Sequence, residues 1–362
     1  LGATGIEKGR GIEDCRRGAL NTVTTAMRPR SGTNRIKPML NNLDFQMNGF
    51  HWQFLMLVCL SSLLLAAVSV GADTAAVITE EQKNWPAEIT VTVGDIRTRI
   101  DGPKMWTMSG IDFQNNVMAV EDSAYGTVLT IRNVGHLGTA HFLDVPGKPG
   151  EVEKEIITSL QFFVDGKPIT RFQPKMNVSG KSFKMVRKSS IRSLELESIL
   201  TVRDGVVSET SNWKVTAPID LQKGHPLMYA FTPKNTVYVL GDENGIQKRA
   251  EYQKEGATDV KTEKQSCWIG TFDPASGKGS VCYVLKQPAE PDAAAWFLLI
   301  DAPGIYRKMA LYNFVDKIVP TGFEGTYQTA IGFFNATEAN WEQQALKRAN
   351  ELKSFTSDLS KP

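Results

Sequence analysis

A few side chains in this sequence could exchange a proton near neutral pH, and their positions narrow the chemistry. Beyond residue 72 there are three histidines, His136, His141 and His225. Glu324 stands between glycines in Thr321-Gly322-Phe323-Glu324-Gly325, in a loop that leads into a strand pattern. Glycine lets a backbone pass close to a ligand, so this carboxylate could reach into a cleft, or it could be an ordinary solvated glutamate. Imidazole can donate a proton and carboxylate can accept one at the same pH, which is the equipment for general acid–base work. His225 opens the run Pro226-Leu227-Met228-Tyr229-Ala230-Phe231-Thr232-Pro233. The apolar core of that run predicts one buried strand with the imidazole at its mouth, because proline pushes the preceding residue towards extended backbone. His136 and His141 are five residues apart, so on one unbroken strand they face opposite ways and are not read as a shared metal site. No acidic or cysteine ligand cluster stands near them in sequence, and no metal is expected. Asp301 and Arg307 are weaker candidates. Trp106, Trp213 and Trp268 could stack on sugar rings or fill a core.

Motifs that are missing exclude other chemistries. There is no glycine-rich phosphate loop, no G-x-S-x-G, no H-E-x-x-H and no C-x-x-C. Nothing implies a cofactor. The net charge of +2 is unevenly placed. Residues 1–46 carry eight basic and four acidic side chains, 47–72 carry none, and the remainder is slightly acidic. A nucleic-acid footprint needs clustered lysine and arginine on the folded body, so no nucleic-acid partner is expected.

Strands must position these residues. Ile89, Val91 and Val93 alternate with polar residues, Gly94-Asp95 makes a turn, and Ile96, Thr98 and Ile100 resume the alternation. Asp165-Gly166 and Asp204-Gly205 punctuate further hairpins, the second joining Leu194–Arg203 to Val206–Val215. Strand patterns also cover 125–131, 236–240, 267–272, 281–285, 296–300, 309–315 and 326–334. Helical periodicity is confined to the end. Trp341, Ala345, Ala349, Leu352 and Phe355 make one apolar stripe, with Thr337 as the expected cap. No repeat of 20–50 residues is present, and no Pro/Gly/Ser linker divides 85–335. The expectation is all-β: one large antiparallel β-sandwich or jelly roll over 85–335, a helix over 336–355 packed on it, and a tail over 356–362.

Residues 1–72 read as a leader. Phe54–Val70 is an apolar run broken only by small serines, and Val70-Gly71-Ala72 supplies small residues for a cut before Asp73. This is the layout of a secretory signal peptide, with Met27 or Met39 as the expected start; the alternative is an uncleaved membrane anchor. Either way the body is exported, to the periplasm or beyond, and any membrane contact runs through the leader. Residues 73–84 form a polar, alanine-rich linker. Cys267 and Cys282 flank the turn sequence Asp273-Pro274-Ala275-Ser276-Gly277. They would face each other if the turn centred near Pro274-Ala275, and would otherwise be buried thiols. Asn177-Val178-Ser179 and Asn335-Ala336-Thr337 match the glycosylation acceptor pattern.

In its Arg99-Ile100-Asp101-Gly102-Pro103-Lys104 opening, its Gly138-Thr139-Ala140-His141 segment, its His225-Pro226-Leu227-Met228-Tyr229 strand and its late Glu324, the body resembles the galactose mutarotase-like (aldose 1-epimerase-like) β-supersandwich family. The resemblance spans roughly 85–341 and implies a carbohydrate ligand. It implies His225 as general acid on the sugar ring oxygen, Glu324 as the base at the anomeric hydroxyl, and His141 holding the sugar. His136, Trp268 and Arg307 are the further candidate sugar contacts. Two departures stand out: Pro226-Leu227-Met228 follows the acid histidine where the family has an aromatic and an asparagine, and no Asn-Arg pair stands near the start. The fold also carries polysaccharide lyases, hydrolases and non-catalytic glycan-binding or envelope domains, so an epimerase is one of several outcomes.

Overall fold

The computed structural model describes residues 84–120, 126–138, 143–145, 148–252, 258–261 and 266–355. The expected leader, its apolar run, the 73–84 linker apart from Asn84, His141 and the 356–362 tail lie outside the described residues. All described residues belong to one compact unit. Among them no helix is long and apolar enough to cross a membrane.

Among the described residues, twenty-five strands, numbered in chain order, form two large sheets and two small ones. The larger sheet runs in the order β10 (Lys167–Pro168), β9 (Ile156–Val164), β12 (Ser182–Ile191), β13 (Leu194–Arg203), β14 (Val206–Val215), β25 (Glu324–Asn335), β21 (Lys278–Lys286), β20 (Trp268–Asp273), β17 (Val237–Asp242), β18 (Gly245–Glu251). The second runs β11 (Lys175–Gly180), β1 (Glu88–Val93), β2 (Ile96–Asp101), β3 (Thr107–Phe113), β4 (Asn116–Ala119), β16 (Met228–Phe231), β23 (Tyr306–Tyr312), β22 (Trp296–Ala302), β19 (Thr258–Lys261). A four-stranded sheet joins β24 (Lys317–Val319), β15 (Ile219–His225), β5 (Val128–Ile131) and β6 (Gly135–Gly138), and β7 (Leu143–Val145) pairs with β8 (Lys148–Glu153). Pairing is antiparallel except between β1 and β11, which run parallel. The expected all-β sandwich is what the chain forms.

Local chemistry explains the hairpins. Asp165-Gly166 and Asp204-Gly205 both hold positive φ at both positions, the geometry that two-residue hairpin turns require and glycine tolerates. The two large sheets pack face to face on a continuous apolar core that includes Ile89, Phe162, Phe183, Leu200, Tyr229, Phe297 and Ile331. Burying each such side chain contributes about 1.5–3 kcal/mol. The one α-helix among the described residues, α1 (Trp341–Lys353), lies on the other side of the ten-stranded sheet. Its Trp341, Ala345, Ala349 and Leu352 share a separate apolar cluster with Trp268, Phe272, Val281 and Phe334.

Two expectations are corrected and one open alternative is settled. The helix begins at Trp341, not 336: Thr337 donates from its backbone N and Oγ1 to Asn340 Oδ1 (2.8 and 3.0 Å), which holds the chain in a turn and leaves Asn340 as the N-cap. Cys267 and Cys282 are buried thiols, not joined in a disulfide. The hairpin between them closes on Asp273↔Lys278, so Cys282 faces Ile269 and not Cys267, and the two thiols enter different apolar clusters. The run after His225 does form a buried strand, β16, but His225 does not stand at its mouth. Pro226 has no N–H for a ladder, so β15 ends at His225 and the chain crosses to the nine-stranded sheet, entering it at Met228.

Candidate functional site: a polar cleft and a basic cluster

His225 is buried at the end of β15. Its Nδ1 lies 3.2 Å from the Leu311 carbonyl oxygen, and its ring is 6.1 Å from Tyr312, inclined by 28°. A carbonyl oxygen only accepts, so Nδ1 carries the proton of the neutral ring and Nε2 is the bare acceptor. Burial, then the positive Lys223, push the His225 pKa down to about 3. An imidazole held neutral in this way is a poor proton donor at neutral pH.

Register groups its neighbours. Lys223 pairs with Thr130, and Thr130 pairs with His136, one row across β15, β5 and β6. His136 is exposed, with Nδ1 2.9 Å from Thr130 Oγ1. Burial, then Lys223 and Lys308, lower its pKa. Lys308 comes from β23 beneath, buried, with its ammonium 5.2 Å from the centre of the Tyr306 ring. Burial brings its pKa down to about 8.

Glu324 is elsewhere. Tyr229 Oη and Thr329 Oγ1 meet at 2.6 Å and tie the two large sheets together, which fixes the facing of both. Side chains alternate along a strand, so Tyr327, Thr329 and Ile331 point into the sandwich and Glu324 and Thr326 point away from it. On the other sheet Met309 pairs with Tyr229 and points in, whereas Lys308, Ala310 and Tyr312 point out. The His225 ring rests on Tyr312. The fold therefore sets His225 and Glu324 on opposite outward sides of the sandwich. It brings His225 together with His136, Lys223 and Lys308, and does not bring it to Glu324.

Around Glu324 the outer face of the ten-stranded sheet forms a cleft of about 760 Å³. Two in-register rows build it. Ser190, Glu195, Lys214 and Glu324 make one across β12, β13, β14 and β25; Lys188, Glu197, Asn212 and Thr326 make the next. Lys214 pairs with Glu195 at 3.4 Å and Lys188 with Glu197 at 3.7 Å. Asn212 Nδ2 donates to Glu197 (3.3 Å), and its Oδ1 accepts from Thr326 Oγ1 (3.0 Å). The Glu324 carboxylate has no hydrogen-bond or ion-pair partner among the described residues. The cleft thus offers a carboxylate that is exposed and uncommitted.

The other candidate contacts are internal. Trp268 is buried under α1, its Nε1 donating to the Asp242 carbonyl (3.1 Å), and Gly241 packs against its ring. Arg307 is buried in an ion pair with Asp301, donates to the Asn235 carbonyl (3.1 Å) and stacks on Tyr252. Neither presents a face to a ligand, because both side chains are enclosed by the packing that orders them. Trp213 is likewise core. One notable group escapes a sequence search for strand-end residues. Glu209 points into the sandwich from the middle of β14, beside Arg187 and Tyr229, and burial pushes its pKa up to about 7. Its only signal is phase: Val207, Glu209, Ser211, Trp213 and Val215 share the inward face.

Over the described residues the fold defines the class as a two-layer all-β sandwich with a single helix, at its C-terminal end. No family model matches the chain, and no curated protein matches it. Similar solved structures include the Slr1438 protein of Synechocystis (8% identity, TM-score 0.42, covering 69% of this chain and 96% of that one). A galactose 1-epimerase of Lactobacillus acidophilus is similar over 68% of this chain and 93% of its own (9% identity, TM-score 0.34). So is an α-galactosidase of Geobacillus stearothermophilus, over 73% of this chain and 42% of its own (10% identity, TM-score 0.41).

Proposed function

We propose that this protein binds a carbohydrate in the cleft around Glu324, and that the body does so as an exported protein. The observation that carries the reading is the pair of polar rows with Glu324 uncommitted at one end. Sugar hydroxyls donate and accept at fixed spacings, and carboxylates, an amide and hydroxyls repeated along and across a sheet match that pattern. The cleft volume lies within the range of small-ligand sites. Proton transfer by a His225–Glu324 pair is not part of this reading, since the two groups face opposite sides. Binding without turnover is the form the geometry supports best, and the apolar run at 54–70 supports export.

A glycan array followed by calorimetry on the strongest ligand tests this. Glu324→Gln and Asn212→Ala are each expected to weaken binding about tenfold, or roughly 1.4 kcal/mol, the scale of one hydrogen bond to a charged or buried polar group. His225→Gln is expected to leave the affinity unchanged. No binding to any glycan, or binding indifferent to both cleft substitutions, would overturn the proposal.

A further inference from the structure

The outward face of the nine-stranded sheet, on the opposite side of the sandwich, has a chemistry of its own. We infer that it binds a small oxyanion, a carboxylate or a sulfate or phosphate group, between Lys308, Lys223 and His136. The inference is independent of the cleft. Lys308 is 5% exposed and points out of the nine-stranded sheet towards the four-stranded one. Buried ammonium groups are normally paired, because taking such a charge out of water is costly. Lys308 has no ion-pair partner among the described residues; its one charge contact is the Tyr306 ring. Among the described residues the charged and titratable groups grouped with it are basic or aromatic: His225, His136, Lys223, Tyr306 and Tyr312. Among the acids of the neighbouring segments, Arg132 holds Asp220 at 3.2 Å and Asp316 at 3.1 Å and Arg307 holds Asp301, while Asp259 lies in the Lys308 row two strands away, across Ile300.

The donors converge by register. Lys223, Thr130 and His136 form one row, and His225 lies two residues further along β15 on the same face. His136 is exposed and Lys223 half-buried, so the row forms a rim with Lys308 at the floor. The proximity of these cations is felt: Lys223 and Lys308 each lower the proton affinity of both histidines. An anion at the rim neutralises that repulsion and gives the buried ammonium a counter-ion. His225 is a neutral wall of this site.

Calorimetry of the full chain at pH 7 and constant ionic strength, with sulfate, inorganic phosphate and glucuronate as separate probes and chloride as the background, is the test. At least one probe is expected to bind with one-to-one stoichiometry, and the probe that binds tells a carboxylate site from a sulfate or phosphate site. Lys308→Met, which keeps the length of the side chain, is expected to weaken binding more than tenfold, and Lys223→Gln at least threefold. Glu324→Gln is expected to have no effect, which separates this site from the cleft. If Lys308→Met does not fold, the double variant Lys223→Gln, His136→Gln carries the same prediction from the rim. Silence from all three probes overturns the inference, as does binding that survives removal of the lysines.

Discussion

Substituting His225 with glutamine is expected to make the protein substantially more resistant to acid. The folded state holds this imidazole neutral to about pH 3, because burial and then Lys223 oppose its charge. In the unfolded chain a histidine takes up its proton near pH 6.5. Between those values the unfolded state binds one more proton than the folded state, so stability falls as pH drops. Integrated over that window the loss is about 5 kcal/mol, a large share of the stability of an ordinary domain. Glutamine can still donate to the Leu311 carbonyl but cannot be protonated. Urea unfolding of both proteins at pH 7.5 and pH 4 separates the two contributions. Any cost of the substitution itself is common to both pH values, and the difference between them is the protonation effect. Equal differences for wild type and His225→Gln would show that the ring is charged in the folded state.

The second large effect has the opposite sign. Glu209 is pushed up to about 7 by burial, against the opposing pull of Arg187. Arg187 is already shared with Glu155 at 3.5 Å, with the Met105 carbonyl at 2.6 Å and with Ser198 at 3.2 Å, so it does not fully offset the buried charge. Here the folded state keeps a proton that the unfolded state has lost above about pH 4.5. Stability therefore falls as pH rises from 4.5 to 7 and stays low above it, by about 3 kcal/mol in full. Glu209→Gln removes that loss. The variant is expected to match wild type near pH 4.5 and to exceed it by about this amount at pH 8, read from denaturant midpoints. A variant less stable than wild type at pH 8 would show that the ionised carboxylate is a net asset to the Arg187 network. Between about pH 4.5 and 6.5 the two slopes cancel in the wild type, so each single substitution should tilt a curve that is otherwise flat in this window.

Much of the fold can be read from residues that act locally. Asp-Gly and Gly-Asp pairs set hairpins by backbone geometry alone, and β13 and β14 run over the residues their alternation predicts. The apolar stripe of the C-terminal helix is equally local. What the sequence does not display is set at long range. The parallel partner of β1 is β11, more than eighty residues later, and no local pattern encodes that pairing. The transfer of the chain between sheets at Pro226 depends on where β16 finds β4 and β23. That transfer sends His225 to the side away from Glu324. The cleft shows the same limit. Glu324 is visible as a carboxylate between glycines, but Asn212, Glu195 and Glu197 become its neighbours only through the register of β13, β14 and β25.

The most direct measurement is a crystal structure of the protein with the strongest glycan from the array. The ligand is expected over the outer face of the ten-stranded sheet, with a sugar hydroxyl on the Glu324 carboxylate and further contacts to Asn212 and Thr326. A glycan seated beside His225 on the opposite side, with the Glu324 cleft left to solvent, would contradict the account.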